Sequence, residues 1–163
     1  MLPTRTPRPE EWPMYRDLKL AMLADSPLAF DDDPTVLASH SAKRWRLAMA
    51  SRLLPDGCWY VVGDERWLAQ AQGRLYGDRH YLLEVYARAE LRGTGVAGEL
   101  LGLAERWAQT RGAETIWLDV AETQTAAINR YLSLGYKFTG EREPHPRYPT
   151  VDKLEMRKLL RSS

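Results

Sequence analysis

Apolar positions change their spacing several times along the chain, and each change marks an element. Within residues 10–24 the apolar positions Met14, Leu18, Ala21 and Met22 recur every three to four residues, and Trp45, Ala48 and Met49 do so within residues 39–53. That spacing lines one face of a helix, so two short helices are predicted, joined by a loop over residues 25–35. The pattern then tightens. Residues 59–62 and 67–76 read as strands around a turn at Gly63-Asp64. A second turn at Gly77-Asp78 leads into the strand that holds Glu84. An antiparallel meander is expected.

Helical spacing returns at Val96, Leu100, Leu103, Ala104 and Trp107, and Gly112 ends it. Residues 115–120 then read as a strand, so strand, turn, helix and strand follow within about forty residues, the sequence of a parallel βαβ crossover. A further helix is predicted over residues 123–134, with Ala127 and Tyr131 on one face and Gly135 at its C-terminal cap. Residues 136–141 and 153–158 are strands, separated by the proline-rich segment 144–149, which cannot be helical. None of the ten prolines falls between Asp56 and Glu143, so that block should hold the sheet and its packing helices. The order βααβββαβαββ describes an α+β fold around a mixed sheet, with residues 1–163 as a single domain.

Composition removes several functions. With 23 basic and 22 acidic residues the formal charge is +1, too even for a broad nucleic-acid surface. No apolar run has the length of a membrane span, and Pro3, Pro7 and Pro9 interrupt any leader-like segment, so a cytoplasmic protein is expected. Cys58 is the single cysteine and reads as an inert strand residue, unable to form an intramolecular disulfide or a zinc cluster. His40, His80 and His145 lie far apart, so no metal site is expected.

The most informative segment is residues 82–97, a strand that runs through Arg92 into a glycine-rich turn and directly into a helix. Uncovered N–H groups of such a turn converge with the unpaired N–H groups and positive end of the helix, which makes a phosphate site. Gly93-Thr94-Gly95-Val96-Ala97-Gly98 also fits the dinucleotide pattern GxGxxG. Against that reading, Arg88 to Arg92 intervene between strand core and glycines, and only about 65 residues follow the loop. A dinucleotide fold needs several further βα units.

Arg92-Gly93-Thr94-Gly95-Val96-Ala97 resembles the acyl-coenzyme A pyrophosphate loop Arg/Gln-x-x-Gly-x-Gly/Ala of the Gcn5-related N-acetyltransferases, the GNAT superfamily. Ala127-Ile-Asn-Arg-Tyr131-Leu-Ser-Leu-Gly135-Tyr136 resembles that family's downstream signature, and Asp25-Ser-Pro-Leu-Ala-Phe30 resembles its connection between the first two helices. The matches span residues 10–160. The resemblance implies a mixed sheet whose central parallel strands splay, flanked by helices, with acetyl-coenzyme A (acetyl-CoA) as cosubstrate and no metal. It implies transfer of an acetyl group to a primary amine by direct attack in a ternary complex.

By the same resemblance the main chain of Val85, Tyr86 and Ala87 pairs with pantetheine, and the Arg92–Gly98 loop, including Gly98, holds the pyrophosphate. Gln124 stands where the family has Asn, a longer amide for a pantetheine contact. Tyr131 is the expected general acid, since a phenol is protonated at neutral pH and can donate to a departing thiolate. Glu84, the carboxylate within an apolar strand, is the expected base, its pKa raised by burial. Asp119 reads as a turn or capping acid, Asp31-Asp32-Asp33 as a lure for a cationic amine, and His145, Arg147 and Tyr148 as a border of the same groove. A small-molecule amine is favoured over a protein, with no nucleic-acid or membrane partner, and paired edge strands make a homodimer an expectation. The other reading is a catalytically silent acyl-CoA-binding module.

Overall fold

Seven strands and five α-helices lie along the residues that the computed structural model describes, 3–53 and 55–161. In chain order they are β1 (Thr4–Arg5), α1 (Trp12–Asp25), α2 (Pro34–Ala38), α3 (Ala42–Arg52), β2 (Gly57–Val62), β3 (Ala69–Tyr76), β4 (Arg79–Ala87), α4 (Val96–Thr110), β5 (Thr115–Ala121), α5 (Thr125–Ser133), β6 (Lys137–Pro144) and β7 (Asp152–Leu159). The strands form one mixed sheet in the order β1-β2-β3-β4-β5-β7-β6. Its only parallel pair among the described residues is β4 with β5, joined by the predicted crossover through α4.

Helix α2 occupies part of the segment predicted to be loop. Pro34 suits a first helical turn, and the Asp33 carboxylate accepts a hydrogen bond from the Thr35 N–H at 2.9 Å, so the last of the three aspartates is a cap. Strand β3 starts two residues later than predicted. Trp67 instead sits in the turn and turns its indole N–H to Glu11, 2.9 Å away in the core. That turn needs Gly63 at φ 111°, where a Cβ would lie 2.1 Å from the Arg66 carbonyl oxygen.

The sheet separates two helical layers. Trp59 and Val61 of β2 pack with Tyr15, Leu18 and Met22 of α1 and Trp45 and Met49 of α3, while the alternate residues Tyr60 and Val62 pack with Val96 and Leu100 of α4. Farther along, α4 and α5 cover Ile116, Leu118 and Val120 of β5 and Met156 of β7. At Gly73 of β3 a Cβ would meet Trp107 at 2.7 Å, so this glycine lets α4 approach the sheet. Both outer edges are blunted: β1 has two residues, and β6 is irregular against β7 between Phe138 and Arg142, with Gly140 at φ 94°.

One break in the sheet positions everything that follows. Strands β4 and β5 pair only at His80↔Ile116 and Tyr81↔Trp117, then diverge. The divergence coincides with a bulge: Leu83 to Tyr86 of β4 span the register that Gln72 to Gln70 span in β3, and Glu84 lies at φ 50°. As a result Leu82 and Val85, three apart, pack on the same core cluster, and Glu84 is turned towards α1.

Candidate active site

The loop expected to hold the cofactor is built from backbone. After β4 a 3-10 turn over Ala89–Leu91 carries the chain to Arg92, and Gly93 and Gly95 take φ values of 79° and 83° before α4 begins at Val96. These left-handed positions turn the chain abruptly, and Gly95 is the N-cap of α4. The buried Val96 side chain anchors the start of the helix. Nothing lies within 4 Å of a Cβ placed on Gly93, Gly95 or Gly98, so the loop faces open space. Arg92 is not a free loop cation: its guanidinium pairs with Asp25 at the end of α1 and reaches the Ala87 carbonyl oxygen at 3.4 Å.

The splay opens a cleft of ≈ 340 Å³ between β4 and β5, roofed by the α1–α2 connection and the start of α5. Of the residues singled out in the sequence, Glu84, Val85, Gln124 and Tyr131 line this cleft together with Asp31, Asp32 and Asp119. Tyr86, Ala87 and the glycine loop do not line it. Tyr86 and Ala87 pair with β3 on one side, and Tyr86 donates its hydroxyl to Asp25 at 3.1 Å in a neighbouring depression beside Arg92. From Leu82 onward the other main-chain edge of β4 has no strand partner among the described residues. That exposed edge, leading to an open glycine loop, fits an extended amide-bearing cofactor arm that ends in a diphosphate.

Tyr131 projects from α5, with 8 % of its surface exposed, and meets Tyr136 edge-on at 5.6 Å. Burial pushes its pKa up to about 12, so the phenol stays protonated across the neutral range. Gln124 stands at the N-cap position of the same helix on the cleft wall, and its side chain makes no capping hydrogen bond. Asp119, on the floor, has its pKa raised by desolvation, an effect that Lys153 opposes.

The wall of the cleft formed by α1, α3 and β4 carries a network of side chains that the sequence did not reveal. Lys19 of α1, 1 % exposed, donates to Glu84 and to Asp32, the latter at 2.7 Å. The other Glu84 oxygen accepts from Gln72 Nε2 at 2.7 Å and faces Arg52 of α3 at 3.6 Å. Gln72 continues to Gln70, whose Oε1 accepts the Trp59 indole N–H at 2.8 Å. Glu84 therefore does not sit among apolar groups, as its strand suggested, but between two cations and an amide. Lys19 could have been found: Tyr15, Leu18, Lys19, Met22 and Leu23 form the buried stripe of α1, and a lysine within such a stripe signals a buried partner.

The acidic run is likewise not free. Asp33 is the cap, Asp32 pairs with Lys19, and Asp31 pairs with Lys153 at 2.7 Å. Arg147 donates to the Asp32 carbonyl oxygen at 2.8 Å, and His145 Nδ1 accepts from the N–H groups of Arg147 and Tyr148. These residues brace the roof of the cleft from behind. Burial pushes the Cys58 thiol up to about 12, in keeping with an unreactive strand residue. Among the described residues no group of acids, histidines or cysteines is placed to hold a metal ion, and no helix is long and apolar enough to cross a membrane.

A mixed sheet with one splayed parallel pair, and a glycine loop opening the helix between its strands, is the architecture of the acyl-CoA N-acyltransferases. The chain belongs to the acetyltransferase (GNAT) family, whose model matches residues 12–136. Among solved structures it is similar to nourseothricin acetyltransferase, at 25% identity and a TM-score of 0.60 over 66% of this chain and 67% of that one. It is similar to the ribosomal-protein-S18-alanine N-acetyltransferase from Escherichia coli, at 18% identity and a TM-score of 0.71 over 100% and 96% of the two chains. A third is yncA from Salmonella typhimurium, solved with its cofactor acetyl-CoA, at 15% identity and a TM-score of 0.77 over 100% and 96%. No curated protein matches the sequence.

Proposed function

We propose that the protein is a cytoplasmic acetyl-CoA-dependent N-acetyltransferase that acts on a primary amine by direct transfer within a ternary complex. The observation that carries this reading is the splay, which opens a cleft lined by a protonated phenol and a buried carboxylate network and leaves a main-chain edge of β4 without a strand partner, leading out of that cleft to an open glycine loop. Bound acetyl-CoA supplies an activated thioester. The loop from Arg92 to Gly98 holds the diphosphate through main-chain N–H groups at the positive end of α4. The free edge of β4 at Val85, Tyr86 and Ala87 takes the pantetheine amides, and Gln124 offers a further amide to the same arm. Tyr131 gives its proton to the departing thiolate, and the Glu84 network at the opposite wall draws the proton from the acceptor. A compact domain without a peptide-binding insertion favours a small amine over a protein.

The test is a panel of primary amines incubated with acetyl-CoA while free thiol is followed. Thiol release that depends on one class of amine is expected. The occupied state of both Glu84 oxygens favours a second reading, a silent acyl-CoA-binding module. Stabilisation by coenzyme A with no thiol release from any amine would put that module ahead.

A further inference from the structure

We propose that Lys19 is the group that takes the proton from the acceptor amine, and that Glu84 and Asp32 are the positioning residues that hold it. This deepens the transferase reading and rests on it, reassigning the proton acceptor within the Glu84 network. A general base must present a lone pair to the space the substrate enters. Each Glu84 oxygen already accepts a hydrogen bond, one from Lys19 and the other from Gln72 at 2.7 Å, and the cations Lys19 and Arg52, the latter at 3.6 Å, lower the basicity of the lone pairs that remain. Lys19 lines the cleft itself. A neutral ε-amine has two N–H donors and one lone pair. The two donors match the two carboxylates at hand, Glu84 and Asp32, and the lone pair is left for the cleft.

The surroundings of Lys19 make that neutral form accessible. It is faced by Glu84 of β4, Asp32 and Asp31 of the connection after α1, Arg52 of α3, and the Phe30 ring at 6.0 Å. Desolvation dominates, with Arg52 adding to it and the two aspartates opposing, and brings the ammonium down to about 8. That is the range in which a base works best near neutral pH.

The proton count closes. Lys19 takes one proton from the acceptor ammonium, and the freed amine forms the N–C bond as the C–S bond breaks. The thiolate takes the phenolic proton of Tyr131, and the second amine proton returns to the tyrosinate through water. Lys19 then releases its proton to solvent, so each turnover yields one amide, one thiol and one proton.

The test measures kcat against pH with two acceptor amines of different pKa, on wild type, Lys19→Arg and Lys19→Ala. Wild type should show an acidic limb near pH 8 that does not move with the acceptor. Lys19→Arg keeps a cation between Glu84 and Asp32 but cannot deprotonate. It should bind acetyl-CoA as wild type does, lose about 10²- to 10⁴-fold in kcat and lose the limb. Trimethylamine, which cannot be stably acylated, should restore part of the activity of Lys19→Ala. An unchanged limb in Lys19→Arg, a limb that follows the acceptor's own pKa, or an acetyl group on Lys19 in the intact mass would overturn the assignment. Loss of the limb in Glu84→Gln but not in Lys19→Arg would return the base to Glu84 and leave the transferase reading standing. That reading fails separately if wild type releases no thiol with any amine.

Discussion

In the proposed site the Arg92–Gly98 loop, beyond the cleft, offers main-chain N–H groups, whereas the Lys19–Glu84 wall of the cleft offers side chains brought from α1, the α1–α2 connection, α3, β3 and β4. A main-chain site needs only the right backbone path, so its signature is a short run of small residues. A side-chain site needs partners that meet only after folding, and each of them depends on the others. Substitutions should therefore act in opposite ways at the two ends. The cofactor end should tolerate loss of side chains and fail when an acidic one is added, and the acceptor end should fail when one is removed.

The largest effect is expected from Gly95→Asp. The new carboxylate would enter the open space before α4 and meet the diphosphate with like charge. Coenzyme A should no longer raise the melting temperature. Gly95→Ala is the control, because it carries the same left-handed backbone penalty, about 1–2 kcal/mol, without the charge. Equal loss of coenzyme A binding in both variants would assign the effect to strain and weaken the case for a main-chain phosphate site.

Tyr131→Phe comes next and probes the point where the two ends meet. It removes one oxygen from a residue that is 8 % exposed and keeps the ring against Tyr136, so packing is nearly conserved. The expected loss is about 10²- to 10⁴-fold in kcat with little change in cofactor affinity. A donor with a more acidic thiol should lose less. Activity within about threefold of wild type would leave Tyr131 as a core aromatic.

The same division explains what could be read from the sequence. The meander, the crossover, the glycine loop and the helix carrying Tyr131 are local patterns, and each lies within a few residues of where it was predicted. Three features were missed, two of them because they are not local. The bulge at Glu84 leaves no composition signal, because the strand reads as apolar on either side of it. Lys19 and Glu84 are 65 residues apart, and only the packing of α1 on the sheet joins them. Helix α2 is five residues long and hidden in a segment whose aspartates suggested an open loop, although Asp33-Pro34 is a recognisable helix start.

A second buried charge calibrates the acceptor end. Glu11, 2 % exposed, would be pushed up by burial, but a bidentate Arg5, the Arg8 N–H and the Trp67 indole N–H overcome this and bring it down to about 2. Lys19, comparably buried, is instead carried towards its neutral form. One cluster holds its charge and the other is poised to release it, which separates a structural ion network from one suited to proton transfer. A folded-state pKa below the unfolded value gives stability that is complete above about 4.5 and lost as the pH falls towards 2. Glu11→Gln should thus cost about 3 kcal/mol at neutral pH, with the difference from wild type shrinking through that window in denaturant titrations. A pH-independent difference would mean that shape, not charge, is what Glu11 contributes.

The smallest effect is expected from Arg92→Ala, and it is the strictest test of the contrast between the two ends. The guanidinium is already paired with Asp25 and is about half exposed, so its removal ends a surface ion pair worth about 0–1 kcal/mol. If the diphosphate is held by N–H groups, affinity for coenzyme A should fall by less than about tenfold, measured by calorimetry, and the loss should shrink further as salt is added. Asp25→Ala frees the arginine and should leave affinity unchanged or slightly raised, since the side chain can then turn towards phosphate. A loss in Arg92→Ala as large as that in Gly95→Asp would show that the cofactor end also relies on a single side chain, and the distinction between a backbone-built and a side-chain-built end would fall.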